Sequence, residues 1–240
     1  MRSGRGLSGT ALQVVAVLSM TADHIGAVIM RDRQIAWATV LRDMPVLFAL
    51  RAIGRAAFPV FAFLLAQGML HTHSRKRFIL RLALFALLSE LPFDLAFYGV
   101  VFYPYHQNIF FTLCFGAICI ALVDYGSKKF GVVVVGIMAL IAQLLRTDYA
   151  ALGVLTILMF WLFGQRGRWG IAVVLLIFAG SCLMYGQWIY LFCLLSLPLL
   201  SCYNGMRGGP TGQVGAIIRK WGFYFYYPAH LLLLAVLAGR

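Results

Sequence analysis

Along its length the chain alternates apolar runs of about 20 residues with short polar connections, the pattern of helices that cross a lipid hydrocarbon core. The runs lie at about residues 9–30, 45–70, 78–98, 107–125, 130–145, 149–164, 169–185, 187–203 and 221–239. They predict an all-α, polytopic transmembrane helix bundle of about nine spans. No hydrophilic stretch is long enough for a separate soluble domain, so residues 1–240 are read as a single domain. A polar stretch from Arg31 to Met44 links the first two spans, and His71 to Arg77 forms a basic turn after the second. Pro92 falls inside the third span. It removes the hydrogen bond to the carbonyl of Leu88 and is expected to kink the helix beside Glu90 and Asp94. A Gly-rich loop from Tyr203 to Arg219 precedes the last span.

Composition agrees with this reading: 62% of the 240 residues are hydrophobic and 11% are charged. The opening run resembles a secretory signal in its basic start. It lacks a small-residue cleavage site and its apolar pattern resumes beyond His24, so it is read as a span. The formal charge of +13 points to nucleic acid only if its position is ignored. Arg2 and Arg5, Arg75 to Arg77, Lys128 and Lys129, Arg166 and Arg168, and Arg207, Arg219 and Lys220 occupy alternate connections. The intervening connections carry only Arg31, Arg33, Arg42 and Arg146, with Asp32, Asp43 and Asp148 beside them. By the positive-inside rule the amino terminus is cytoplasmic and the carboxyl terminus external. The 5 cysteines lie in apolar runs without a CxxC, so they read as buried filler and not as a disulfide framework or zinc site. A GxGxxG string at residues 4–9 follows no strand and carries no dinucleotide expectation.

The chemistry of interest lies inside the spans. Arg51 and Arg55 share a face of the second span, one turn apart, roughly 9 and 15 Å below its outer end. A cation at that depth costs roughly 2.5 to 3.5 kcal/mol on insertion scales and needs a carboxylate, a wet cavity or an anionic ligand. Asp94 and Glu90, roughly 6 and 12 Å deep on the third span, are the expected partners, Arg51 with Asp94 and Arg55 with Glu90. Asp23, His24, Asn108, Tyr149 and His230 fall at comparable or adjoining levels, so one polar cluster toward the outer leaflet is expected. Ion pairing for neutralisation and helix registry would explain the four charges without any activity. The functional reading leaves one arginine free for a polarised ligand. It makes His24 a proton acceptor, partnered from another helix because adjacent helical residues point about 100° apart. His230 is the second candidate base; His71, His73 and His106 sit in turns and receive no role. No Ser-His-Asp elbow, P-loop or HExxH motif is present, which favours direct transfer by a general base.

Several blocks in order along the chain carry a resemblance. They are Met20-Thr-Ala-Asp-His-Ile-Gly26, the stretch from Ile53 to Gly68, Ser89-Glu-Leu-Pro-Phe-Asp94, Gln107-Asn-Ile-Phe-Phe-Thr112, Asp148-Tyr-Ala-Ala-Leu-Gly153, Asn204-Gly-Met-Arg-Gly208 and Phe225-Tyr-Tyr-Pro-Ala-His-Leu231. Together they resemble the TraX family. The resemblance implies a multi-pass acetyltransferase of the bacterial cytoplasmic membrane, akin to the wider transmembrane acyltransferases, with acetyl-CoA as co-substrate and no metal. It implies His24 as base, with Asp23, Arg55, Asn108 and His230 as companions; the depth of the charges in the spans adds Arg51, Glu90, Asp94 and Tyr149 as supporting candidates. Of the cytoplasmic cations, Arg75, Lys76, Arg77 and Arg207 are the candidates to hold the donor's phosphates; their plainer role is topology and contact with anionic lipid. The implied acceptor is the amino terminus of pilin, with another peptide, a glycan or a small molecule left open. Membrane lipid is a partner, nucleic acid is not, and a homo-oligomer is allowed. Two other readings fit the same intramembrane charges, a proton-coupled transporter or channel and an assembly subunit in which the charges only set registry.

Overall fold

The computed structural model describes residues 6–29 and 37–240. Arg2, Arg5, Arg31, Asp32, Arg33 and the start of the GxGxxG string lie outside the described residues. Among the described residues the chain is all-α. The helices are α1 (Gly9–Ile29), α2 (Trp37–Asp43), α3 (Pro45–Gly54), α4 (Ala57–His71), α5 (Arg75–Tyr98), α6 (Ile109–Tyr125), α7 (Lys128–Leu144), α8 (Ala150–Phe163), α9 (Gly167–Met184), α10 (Ser196–Ser201) and α11 (Gly212–Leu237). By length and composition three stretches, Gly9–Ile29, Pro45–His71 and Ala150–Met184, are apolar enough to cross a membrane. The outward faces are as apolar as the core. On α5, Leu80, Leu84, Leu87 and Leu91 line one stripe and are 47–68% exposed, and on α7 Val132, Val133, Ile137 and Leu144 are 48–75% exposed. A surface of that kind is solvated by lipid tails and not by water, and the protein is a membrane protein.

Polar caps set several boundaries. Ser74, Asn108 and Ser127 accept hydrogen bonds from the backbone N–H groups of Arg77, Phe110 and Phe130 and so start α5, α6 and α7. The connections sort to two ends of the bundle. At one end Leu7 pairs with Tyr203, Gly9 N–H donates to the Met206 carbonyl at 2.8 Å, and Arg75 meets Asp124 at 2.6 Å. At the other, Gln107 pairs with Thr147, Trp37 donates to Gln187 at 3.4 Å, and Arg240 donates to the Ala96 carbonyl. The basic connections thus gather at the first end, as their alternation along the sequence predicts.

The centre is α4, packed against α1, α6 and α8. In its stretch, 72% of the most apolar window is buried, against 39% in each of the other two. The second span is therefore the one with least lipid contact, and its arginines enter the protein interior.

Several boundaries differ from the expectation. The described part of the polar linker, Trp37–Asp43, is a helix whose Val40 packs with Leu47 and Phe48. The second span breaks between Gly54 and Ala57: Arg55 and Ala56 N–H bond to the Ala52 and Ile53 carbonyls, a tighter turn, and Pro59 has no N–H for the Arg55 carbonyl. The basic stretch after it is not all turn, since Arg75 to Arg77 begin α5. Pro92 lies inside α5 without ending it. Residues 150–184 reverse at a 3-10 turn, Gly164–Arg166, and at Gly167, whose φ of +68° suits glycine, so α8 and α9 pack on each other. The eighth predicted span is a 3-10 segment, Trp188–Leu195, followed by α10. The last helix begins at Gly212, earlier than expected, because Gly215 lets the Pro210 carbonyl fold close over its first turn. Cys114, Cys119, Cys182 and Cys193 are buried and unpaired, whereas Cys202 is exposed.

Candidate functional site

The approach of α1 to α3 builds the first half of the site. A Cβ placed on Gly54 would fall 2.2 Å from the Asp23 Cβ, and one on Gly26 would fall 3.0 Å from the Arg51 side chain. At Gly54 only glycine lets the helices close to this distance, and at Gly26 any larger residue would make the Arg51 side chain give way. Ser19 seals the contact by donating at 2.7 Å to the Ile53 carbonyl, which also accepts from the Ala56 N–H at the helix break. Asp23 is thereby held against both guanidinium groups. Its Oδ2 lies 2.7 Å from Arg51 Nη1, and its Oδ1 accepts from Arg55 Nη2. Arg55 also donates to the Arg51 carbonyl, and Arg51 to the Asp23 carbonyl, both at 3.2 Å. Two cations on one carboxylate leave an excess positive charge. Arg51 Nε is buried and has no hydrogen-bond partner among the described residues.

The second half starts from the next residue of the same turn of α1, close enough for His24 to feel the charges of Asp23 and Arg51. His24 Nδ1 lies 2.7 Å from His230 Nε2 on α11, with Phe97 edge-on at a centroid distance of 5.2 Å. His230 Nδ1 is 3.0 Å from the Tyr226 carbonyl. A carbonyl only accepts, so His230 Nδ1 carries the proton; with both rings neutral its Nε2 accepts from His24 Nδ1–H, and His24 Nε2 keeps the lone pair. The tautomer of His24 is thus assigned by the hydrogen-bond network, with its outer nitrogen basic. Tyr226 stacks on His230 and its hydroxyl is 2.7 Å from Thr21 Oγ1, which fixes the pair from above. His24 itself is only half-buried.

Aromatic rings enclose the arginines. The Arg55 guanidinium lies 4.8 Å over Tyr190, and Arg51 lies 5.7 Å over Trp37. Tyr190 meets Tyr149 edge-on at 5.9 Å, and Tyr149 stacks on Phe58 at 3.9 Å. Tyr149 sits at φ +63°, flanked by Arg146 at +52° and Ala150 at +43°, all in the left-handed region. Such strain in non-glycine residues persists only where surroundings impose it. Here Thr112 donates to the Asp148 carbonyl, and Gln107 exchanges backbone hydrogen bonds with Arg146 and Asp148.

The expected pairing of the arginines with the third span is overturned. Their carboxylate is Asp23, and Glu90, Asp94 and Asn108 form a separate group between α5 and α6. Asn108 Nδ2 donates to Glu90 Oε2 and, at 2.8 Å, to the Ala86 carbonyl, while Tyr103 N–H donates to Asp94 Oδ2 at 2.8 Å. The reason is packing order: α5 lies against α6 and α11, and α1 is the neighbour of α3. Matching depth on consecutive spans did not make them adjacent. Tyr190, Tyr226, Thr21 and Trp37 belong to the site and were not singled out from the sequence; the Phe225 to Leu231 block contained Tyr226, but nothing there marks its hydroxyl. Arg81, also inside a predicted span, lies 5.5 to 6.0 Å from the rings of Phe78, Trp221 and Tyr224.

At the basic end Arg75 is engaged by Asp124 and by the Met69 carbonyl, and Arg207 donates to the Arg219 carbonyl at 3.0 Å. Among the described residues no group of three His, Cys, Asp or Glu side chains is placed to hold a metal ion.

The family model described as TraX protein matches residues 8–238, nearly the whole chain. The chain belongs to the TraX family. The chain is also similar to a probable fimbrial assembly protein FimC, serogroup H1, of Dichelobacter nodosus, at 23% identity over 95% of the chain and 94% of the relative. No solved structure matches it. The TraX match spans both halves of the site, from Asp23 and His24 on α1 to His230 on α11.

Proposed function

We propose that this TraX protein is a multi-pass acyltransferase of the bacterial cytoplasmic membrane, with its basic end in the cytoplasm, that moves an acetyl group from acetyl-CoA to an amine or hydroxyl. The observation that carries this reading is the His24–His230 pair, whose hydrogen bonds leave His24 Nε2 as an available base beside a cationic arginine group. In the proposed step His24 Nε2 takes a proton from the acceptor as its nitrogen or oxygen bonds to the thioester carbonyl carbon. The C–S bond then breaks, and the departing thiolate receives the proton from the imidazolium. Negative charge gathers on the carbonyl oxygen during attack, and the surplus cation of Arg51 and Arg55 is suited to stabilise it. Asp23 holds both guanidinium groups in place. The fimbrial name of the relative supports a pilin amino terminus as acceptor.

The test uses the full chain in lipid nanodiscs, acetyl-CoA, and a peptide with a free amino terminus copied from pilin. Release of CoA and acetylated peptide together supports the reading. A wild-type protein that consumes no acetyl-CoA with any amine or hydroxyl acceptor, or a His24→Ala variant with unchanged turnover, overturns it.

A further inference from the structure

A cavity of about 530 Å³ opens at the basic end of the bundle, between the end of α4, the α8–α9 reversal and the segment after α10. Its wall includes Gln67, His71, Arg166, Arg168 and Tyr203, and none of its lining residues carries a carboxylate. Arg166 and Arg168 are steadied by aromatic rings and not by acids: Arg166 lies 4.9 Å over Phe163 and Arg168 5.4 Å over Trp169. Guanidinium groups held through their faces keep their N–H forks for a ligand. Gln67 is only 8% exposed, yet its side-chain amide has no hydrogen-bond partner among the described residues, and it faces the cavity. Its amide atoms are not sealed from the cavity, so they can meet a ligand there. The 18-residue helix α9 begins at Gly167 in the same wall, so the positive end of a helix dipole adds to the two arginines.

We propose that this cavity binds the phosphate groups of a soluble phosphorylated ligand. On the acyltransferase reading, on which the ligand's identity rests, that is the nucleotide part of the thioester donor. The site is then built by Arg166, Arg168 and Gln67, with Arg75 and Arg207 occupied elsewhere. Gln67 lies twelve positions after Arg55, along the turn that precedes α4 and α4 itself, roughly 18 Å at 1.5 Å per residue. The phosphates would therefore sit far from the reacting carbon, joined to it by an extended arm.

Binding is to be measured by calorimetry on the full chain in zwitterionic nanodiscs, with CoA, adenosine 3′,5′-bisphosphate and adenosine as probes. The expected result is binding of the first two and none of adenosine. Affinity should fall about tenfold for each of Arg166→Gln and Arg168→Gln, with little change for Lys129→Gln. Gln165→Glu, an exposed change on the cavity wall, should weaken binding by adding a negative charge without disturbing the fold. Unchanged affinity in the arginine variants and in Gln165→Glu would overturn the proposal. So would binding of anionic lipid headgroups, titrated into the discs, with none of the free phosphate compounds. The readout involves no turnover: binding without acetyl transfer would sink the acyltransferase reading alone, and transfer without phosphate-dependent binding here would sink this site alone.

Discussion

His24 and His230 face each other across the contact of α1 and α11, with Nδ1 of the first 2.7 Å from Nε2 of the second and the ring planes within 9° of parallel. The pair gives His230 a role that a lone histidine on a membrane helix would lack. It fixes which nitrogen of His24 holds a proton and which is free. Replacing His24 with Ala should lower acetyl transfer by roughly 10² to 10⁴-fold while the protein still folds. His230→Gln keeps an oxygen that can accept from His24 and should lose much less than His230→Leu, which has no acceptor. Rates of CoA release, with thermal unfolding as a folding control, would check this. Equal loss in both His230 variants would count against the hydrogen bond as the relevant feature.

Asp23 offsets the buried Arg55 and the half-buried Arg51, so Asp23→Asn should destabilise the protein more than removal of either arginine. An uncompensated buried charge costs on the order of 3 to 5 kcal/mol. Combining Asp23→Asn with Arg55→Gln should recover part of the loss. The measurement is unfolding temperature in one lipid or detergent system for the single and double variants.

Gly54→Ala tests the helix approach itself. The added carbon would meet the Asp23 side chain at 2.2 Å, so α1 and α3 must separate, at a cost of about 1 to 3 kcal/mol, and the pairing of Asp23 with Arg51 and Arg55 should loosen. Gly136→Ala on α7 is the matched control, since nothing lies within 4 Å of the added carbon there. It should be neutral or stabilising by up to about 1 kcal/mol from helix propensity. Melting temperature and activity of both variants decide the point.

Asn108 caps α6 and bonds across to α5 through Glu90 and the Ala86 carbonyl. Asn108→Ala should cost about 1 to 2 kcal/mol through the lost cap, more for the stranded partners, and should lower stability while leaving the catalytic step of the folded fraction intact. A fall in turnover per folded molecule as large as that of His24→Ala would instead place this group in the chemistry.

Cys202 is exposed next to Tyr203, at the end of the bundle where the basic connections gather, and the other cysteines are buried. A membrane-impermeant thiol reagent should therefore label the protein in inverted membrane vesicles and spare it in spheroplasts. The opposite pattern would reverse the orientation inferred from the positive charges.

The hydropathy of the chain and the alternation of its Lys and Arg residues were enough to specify an all-α membrane protein and to say which connections share an end. Both properties are local: a lipid core selects for length and apolarity one segment at a time, and loop charge is read one loop at a time. The same reasoning marked Arg51, Arg55, Asp23, His24 and His230 as out of place, because a charged or polar group in an apolar run is costly wherever the run finally packs. It could not say which carboxylate the arginines would choose. That was decided by the side-by-side packing of α1 and α3, made possible by Gly26 and Gly54, and by the placement of α5 against α6 and α11, which took Glu90 and Asp94 to Asn108 and Tyr103 instead. The cost of burial demands a partner for every charge, but only the arrangement of the helices names it.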